Sequence, residues 1–207
     1  MSAIVYTIGH STHSFEAFIA LLERHKITAV ADVRSQPYSR FNPQFDRPAL
    51  AAALKRCGVE YVFLGEELGA RPKDRSCYVA GRVSYQAIAS SAAFQRGIER
   101  IEQGRLRHRI TLMCAEKDPL ACHRTILVAR QLTLRGISVA HILDDGSLET
   151  HAAATSRLLA ELGLPERDLF GTRDDVIADA FTLREREVAH EDERADGAAA
   201  PATEVTR

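Results

Sequence analysis

Cys114, Glu116, Cys122, His123 and Arg124 sit within the stretch LMCAEKDPLACHRT (112–125), where an apolar run meets a charged loop and then a second apolar run. Thiols, an imidazole and a guanidinium around one turn suit three kinds of site. In one, Cys114 or Cys122 is a nucleophile, His123 or His10 is its base, and Arg124 with helix amides holds an anion. In another, Cys114, Cys122, His123 and His10 ligate a metal such as zinc, although a Cys-x7-Cys-His spacing is no standard zinc pattern. In the third, the thiols are small buried hydrophobes and Arg124 pairs with Glu116 or Asp118. Cysteine phosphatases place five residues between their cysteine and arginine; nine separate Cys114 from Arg124, which argues against that chemistry.

The elements that must position these groups can be read from periodicity. IVYTIG (4–9), TAVADV (28–33), EYVFLG (60–65), RITLMC (109–114) and SVAHIL (138–143) are short, β-branched runs and predict five strands. FEAFIALLERHK, PALAAALKRCG, a segment from about Tyr85 to Gln103, DPLACHRTILVARQLTLRG and residues 148–181 carry helical patterns between and after them. This alternation predicts an α/β fold: three layers, a mainly parallel five-stranded sheet, helices on both faces, Rossmann-like. The expected organisation is a single α/β domain over 1–181, followed by an acidic, disordered tail at 182–207 that carries four arginines against seven acids.

In open α/β sheets, ligands bind beyond the carboxyl ends of the strands. Those ends bring His10, Ser11 and Thr12, then Asp32, Arg34 and Ser35, then Glu66 and Glu67, then Cys114 and Glu116, to one expected rim. Asp118-Pro119 predicts a helix start that puts Cys122 and His123 in its first turn, where the dipole lowers a thiol pKa. His10 is the expected proton carrier, titrating near neutrality. Asp32 is expected to orient Arg34 as an ion pair more than to act as a base.

The motifs TIGHST (7–12), ADVRSQPYSR (31–40), YVFLGEELG (61–69) and LMCAEKDPLACHR (112–124), in this order, resemble domain-of-unknown-function family 488 over about residues 3–150. The resemblance implies a small bacterial α/β domain, with its site at these motifs and an association with nucleic acid. It marks His10, Asp32, Arg34, Ser35, Arg40, Cys114, Glu116, Cys122, His123 and Arg124 as site positions and assigns them no individual roles.

Charge points the same way. Residues 34–75 carry eight cations against five acids, which leans toward an anionic small molecule or nucleic acid as partner. Arg34, Arg40 and Arg47 alternate with Tyr38, Phe41 and Phe45, an arrangement that can contact phosphates and stack bases, or simply anchor a loop. Arg71, Lys73, Arg75 and Arg82 lie on a second long loop that could close over the rim. The chain has 45% hydrophobic residues and four cysteines, which fits a cytoplasmic protein with reduced thiols rather than a disulfide scaffold. No apolar run approaches the roughly 18–20 residues of a membrane span, and the first residues do not form a secretory signal.

Overall fold

The structure, a computed structural model, describes residues 4–165 and 171–191. The five expected strands form: β1 (Val5–Gly9), β2 (Ala29–Asp32), β3 (Glu60–Phe63), β6 (Ile110–Cys114) and β7 (Val139–Ile142). They lie side by side in the order β3-β2-β6-β1-β7, each parallel to its neighbour. A sixth strand corrects the expected count. β8 (Leu148–Thr150) adds antiparallel to β7 at the edge, where the pattern had predicted the start of a helix. The cause is the Asp144-Asp145-Gly146-Ser147 turn: Gly146 takes a φ of +75, and the Leu143 N–H donates to the Ser147 carbonyl. The strands β4 (Tyr78–Val79) and β5 (Arg82–Val83) form a separate hairpin in the second long loop.

Strand alternation divides the core into two layers. Tyr6, Ile8, Val30, Met113, Ala140 and Ile142 face α1 (Phe15–Arg24) and α2 (Arg47–Arg56), meeting Phe18, Leu22, Leu50 and Leu54. Val5, Ala29, Ala31, Leu112 and Val139 face the opposite way, toward α4 (Tyr85–Ser90), α5 (Ala92–Gly104), α6 (Arg130–Leu134), α7 (His151–Glu161) and α8 (Arg173–Val188). The short α3 (Gly65–Leu68) joins this second layer through Leu68. The expected long helix from Tyr85 is broken because Ser91, extended, caps α5 through the Phe94 N–H. After β6 the chain runs through a 3-10 turn (Pro119–Ala121) and a π-helical stretch (Arg124–Ala129) before α6. The wide winding is typical of segments that re-aim side chains at functional sites.

The carboxyl end of the sheet therefore has loops leaving in opposite directions. The loop after β1 turns to the α1 side; the loop after β6 turns to the α6 side. Between these adjacent strands a crevice opens.

At the expected tail, the boundary shifts. α8 continues to Val188, and residues 189–191 return to the hairpin, where the Val83 N–H donates to the His190 carbonyl. Residues 192–207, the rest of the expected tail, lie outside the described residues. Among the described residues no helix is long and apolar enough to cross a membrane.

Two histidines are part of the core. Thr7 Oγ1 lies 2.8 Å from His141 Nδ1, and His141 Nε2 lies 3.2 Å from His151 Nδ1. Burial and the nearby Arg130 hold the His151 pKa down at about 4, and burial with His151 holds that of His141 well below its ordinary value. Both stay neutral in the fold and charge in the unfolded chain, so their stability is full above pH 6.5 and is lost as pH falls toward 4. For His151 alone the loss is about 2 kcal/mol by pH 5. Urea unfolding at pH 7.5 and pH 5 should show it; an unchanged midpoint would refute the assignment.

Candidate functional site at the carboxyl edge of the sheet

Three strand ends deliver the central residues. The His10 N–H donates to the Cys114 carbonyl at 2.8 Å, which continues the β1–β6 ladder one step past the strands. Gly9 allows this approach: a Cβ there would stand 1.8 Å from the Glu116 carbonyl oxygen. At the end of β2, Asp32 and Arg34 form a buried two-point ion pair, Nε to Oδ1 at 2.9 Å and Nη2 to Oδ2 at 2.7 Å. Tyr61 donates its hydroxyl to Asp32 Oδ2 at 2.7 Å, and Arg34 Nη2 donates to the Phe45 carbonyl. The pairing expected of Asp32 is thus what the geometry gives.

His10 differs from the expectation. Its ring stacks on Phe45, with centroids 4.4 Å apart, Nδ1 lies 3.0 Å from the Ser11 carbonyl, and Nε2 lies 3.2 Å from Arg34 Nη1. Because Arg34 can only donate, Nε2 accepts and Nδ1 carries the proton. Burial and the Arg34 charge lower the His10 pKa to about 4. A neutral imidazole so engaged orients Arg34; it does not titrate near pH 7.

The sulfur cluster is built from the end of β6 and the loop that follows it. Cys122 precedes the helix in an extended conformation instead of sitting in its first turn, and its carbonyl accepts the Thr125 and Ile126 N–H groups. Its sulfur accepts the Arg124 N–H at 3.4 Å and lies 2.8 Å from Glu116 Oε2. His123 Nε2 donates to the Val33 carbonyl at 3.0 Å, which turns Nδ1 toward both sulfurs, 3.7 Å from Cys114 and 3.9 Å from Cys122. Arg124 is fully buried, and its guanidinium donates to the Glu116 carbonyl at 2.6 Å and the Lys117 carbonyl at 3.1 Å. The expected pairing of Arg124 with a carboxylate is absent; Asp118 instead pairs with Arg157. Among the described residues no carboxylate lies within ion-pair distance of Arg124.

These contacts decide which sulfur carries charge. Burial alone would push the Cys122 thiol up, but the Cys114 hydrogen bond, the Arg124 charge and His123 outweigh it and hold Cys122 well below the usual thiol range. Burial and the neighbouring Cys122 push Cys114 well above that range. Burial and the same sulfur raise the Glu116 carboxyl, while Cys122 and Glu116 raise His123 against its burial. The directions favour the thiolate at Cys122 and the thiol at Cys114, with the Glu116 carboxyl 2.8 Å from the Cys122 sulfur.

Cys114 Sγ, Cys122 Sγ and His123 Nδ1 lie within 4.8 Å of one another, a spacing that could hold a thiophilic metal ion. His10, expected as a fourth ligand, is not among them, since both of its ring nitrogens are engaged elsewhere.

Cys114, Cys122, His123 and Glu116 form the floor of a cleft of about 1460 Å³. Arg34, Arg71, Lys73, Arg75, Arg82 and Arg186 line it, against the acids Glu116, Glu187 and Glu191. Ser35 is on this wall too, where its hydroxyl accepts the Arg71 N–H at 2.9 Å. Ser11, Thr12 and Arg40 are not part of the lining, and neither is His10. Of the residues that support the ion pair, Phe45 follows the loop-anchor reading of its ring, being fully buried, while Tyr61 gave no signal in the sequence because a ring in a strand reads as core. The Tyr85 hydroxyl, buried in the wall, has no hydrogen-bond partner among the described residues.

A family model, Domain of unknown function DUF488, matches residues 14–131, more than half of the chain. The chain belongs to that family. No curated protein and no solved structure matches it. The DUF488 span is narrower than the motif resemblance suggested. It includes Asp32, Arg34, Ser35, Arg40 and the whole sulfur cluster, starts after His10, Ser11 and Thr12, and ends before α8. The floor of the cleft is thus DUF488 sequence, whereas Arg186 to Glu191 on its wall lie outside the match.

Proposed function

We propose that the protein is a cytoplasmic thiol-dependent enzyme, with Cys122 as nucleophile toward an anionic substrate held in the cleft at the carboxyl edge of the sheet. The observation that carries this reading is the position of the Cys122 sulfur. It is at the floor of a cation-lined cleft, bonded to the Arg124 N–H and to a carboxyl that can take or return its proton. Arg34 and the rim cations bind the substrate's anionic group. Cys122 attacks the neighbouring electrophilic centre, the bond to the leaving group breaks, and Glu116 delivers its proton to that group. Arg124 and His123 keep the sulfur charged, and His10 and Asp32 act through Arg34 as positioning residues. The size of the cleft, with Tyr38 and Tyr78 on its wall, favours a nucleotide or the end of a nucleic-acid strand over a bare phosphate.

Alkylation tests both halves. Between pH 6 and 8 the iodoacetamide rate of free cysteine rises roughly 75-fold as its thiol ionises; the Cys122 rate should change by less than about threefold, because its sulfur is already charged. A Cys122 rate that climbs in step with free cysteine would remove the nucleophile. Nucleoside triphosphate or short single-stranded DNA should slow the reaction at low salt, and pyrophosphate less so. Equal rates with and without all three would remove the anionic substrate.

A further inference from the structure

Two buried thiols serve one cleft, and only one is required as the nucleophile. Cys114 is 3% exposed and Cys122 1%, both line the cleft, and their sulfurs lie within 4.8 Å. They sit at opposite ends of a single loop, Cys114 closing β6 and Cys122 preceding the helix, with Arg124 fastening that loop through the Glu116 and Lys117 carbonyls. Cys57 is exposed and Cys77 is buried outside the cleft lining.

We propose that Cys122 is a site of oxidation by hydroperoxides, and that Cys114 resolves it as an intrachain disulfide. This rests on the reading of Cys122 as the reactive sulfur. In the first step the Cys122 sulfur attacks the distal oxygen of the hydroperoxide and the O–O bond breaks. The departing alkoxide, or hydroxide when the oxidant is hydrogen peroxide, is protonated by the proton that the Cys122 thiol gave up, returned through solvent or the Glu116 carboxyl 2.8 Å away. Cys122 is then a sulfenic acid and the peroxide has been reduced by two electrons to an alcohol or water. In the second step Cys114 attacks the sulfenic sulfur. The S–S bond forms, the S–O bond breaks, and hydroxide leaves as water with the Cys114 proton, which Glu116 can relay. The sum is two thiols and one hydroperoxide giving one disulfide, one alcohol and one water. Sulfurs within 4.8 Å must close to about 2.05 Å, a movement that side-chain rotation at the two loop ends can supply. Arg34, which lines the same cleft as Cys122, stabilises the charge on the departing oxygen. Cys114 thereby keeps Cys122 from over-oxidation, and reduction of the disulfide by a dithiol restores the enzyme.

The test uses the reduced, chelator-treated full chain, one equivalent of hydrogen peroxide, N-ethylmaleimide quenching and tryptic mass mapping. Cleavage after Lys117 places Cys114 in residues 110–117 and Cys122 in residues 118–124, so a disulfide between them appears as two joined peptides lighter by two hydrogens. The expected result is that this joined species dominates, while Cys57 stays thiol. In Cys114→Ser the joined peptides vanish, and the sulfenic acid trapped by dimedone on Cys122 rises roughly tenfold, since nothing resolves it. A wild-type chain that gives the dimedone adduct without joined peptides overturns the assignment of Cys114. A Cys122 that stays thiol while Cys57 oxidises overturns peroxide reactivity. If Cys114→Ser does not fold, the wild-type map alone decides. Flat alkylation of Cys122 with no joined peptides leaves the enzyme reading standing and this one refuted.

Discussion

Arg124→Met should lose roughly 3 kcal/mol of stability and turn Cys122 into an ordinary buried thiol. The reasoning starts from the guanidinium, which is fully buried and donates to two carbonyls of the loop that joins the cysteines. Methionine fills much of the space but leaves the Glu116 and Lys117 carbonyls without donors, at about 1–1.5 kcal/mol each. The sulfur also loses the Arg124 charge, one of the groups that hold its pKa down. It can protonate in response, which caps the cost to stability and moves the effect into reactivity. The alkylation rate of Cys122, flat with pH in the wild type, should then rise with pH, and at pH 6 it should fall by roughly 10- to 100-fold. Arg124→Lys would return the charge without the two-point clamp, because an ammonium cannot reproduce the planar fork. Thermal or urea unfolding, together with alkylation across pH, measures both parts. A variant as stable as the wild type with an unchanged flat profile would show that Arg124 does neither job.

Asp32→Ala has the second large effect, an expected loss of about 3–5 kcal/mol, because it leaves the Arg34 charge buried and alone. The carboxylate accepts from Arg34 Nε, Nη2 and backbone N–H and from the Tyr61 hydroxyl, so four donors lose their acceptor at once. Replacing the pair together, with Asp32→Leu and Arg34→Met, should recover a large part of that loss, since no charge is then stranded. The double variant should nonetheless lose protection of Cys122 by nucleotide, because Arg34 is gone from the cleft. Urea unfolding of the three variants settles the energetic claim. A single variant within about 1 kcal/mol of the wild type would mean that Arg34 reaches water or another acceptor.

The parallel sheet was legible because each of its five strands is a short β-branched run beside a helix with a clear apolar stripe. Strand ends then located Cys114, Arg34 and Glu116 without knowledge of strand order. β8 escaped because three residues are too few to show alternation; the Asp145-Gly146 dipeptide was its only local signal. His10 was read as a titrating base because nothing local to TIGHST reveals that Arg34 and Phe45, 24 and 35 residues away, close around its ring. The division of charge between the cysteines was equally hidden. It follows from the Cys114 hydrogen bond and the Arg124 and His123 groups acting on Cys122, and the approach of Cys114 across the loop has no local signal. Ser11, Thr12 and Arg40 show the opposite error, since membership of a strand-end motif does not by itself bring a side chain to the cleft wall.

The segment from Arg186 to Glu191 closes one side of the cleft by pairing with the Arg82–Val83 strand, and it comes from a different stretch of chain than the sulfurs it overlooks. Under the proposed function, reactivity and selectivity are then encoded separately. Substitutions at the end of α8 and just beyond it can redraw the contour of the cleft while the sulfurs keep their spacing. On the proposed reading, such modularity lets one reactive floor be refitted to new guests by edits in the Arg186–Glu191 segment alone.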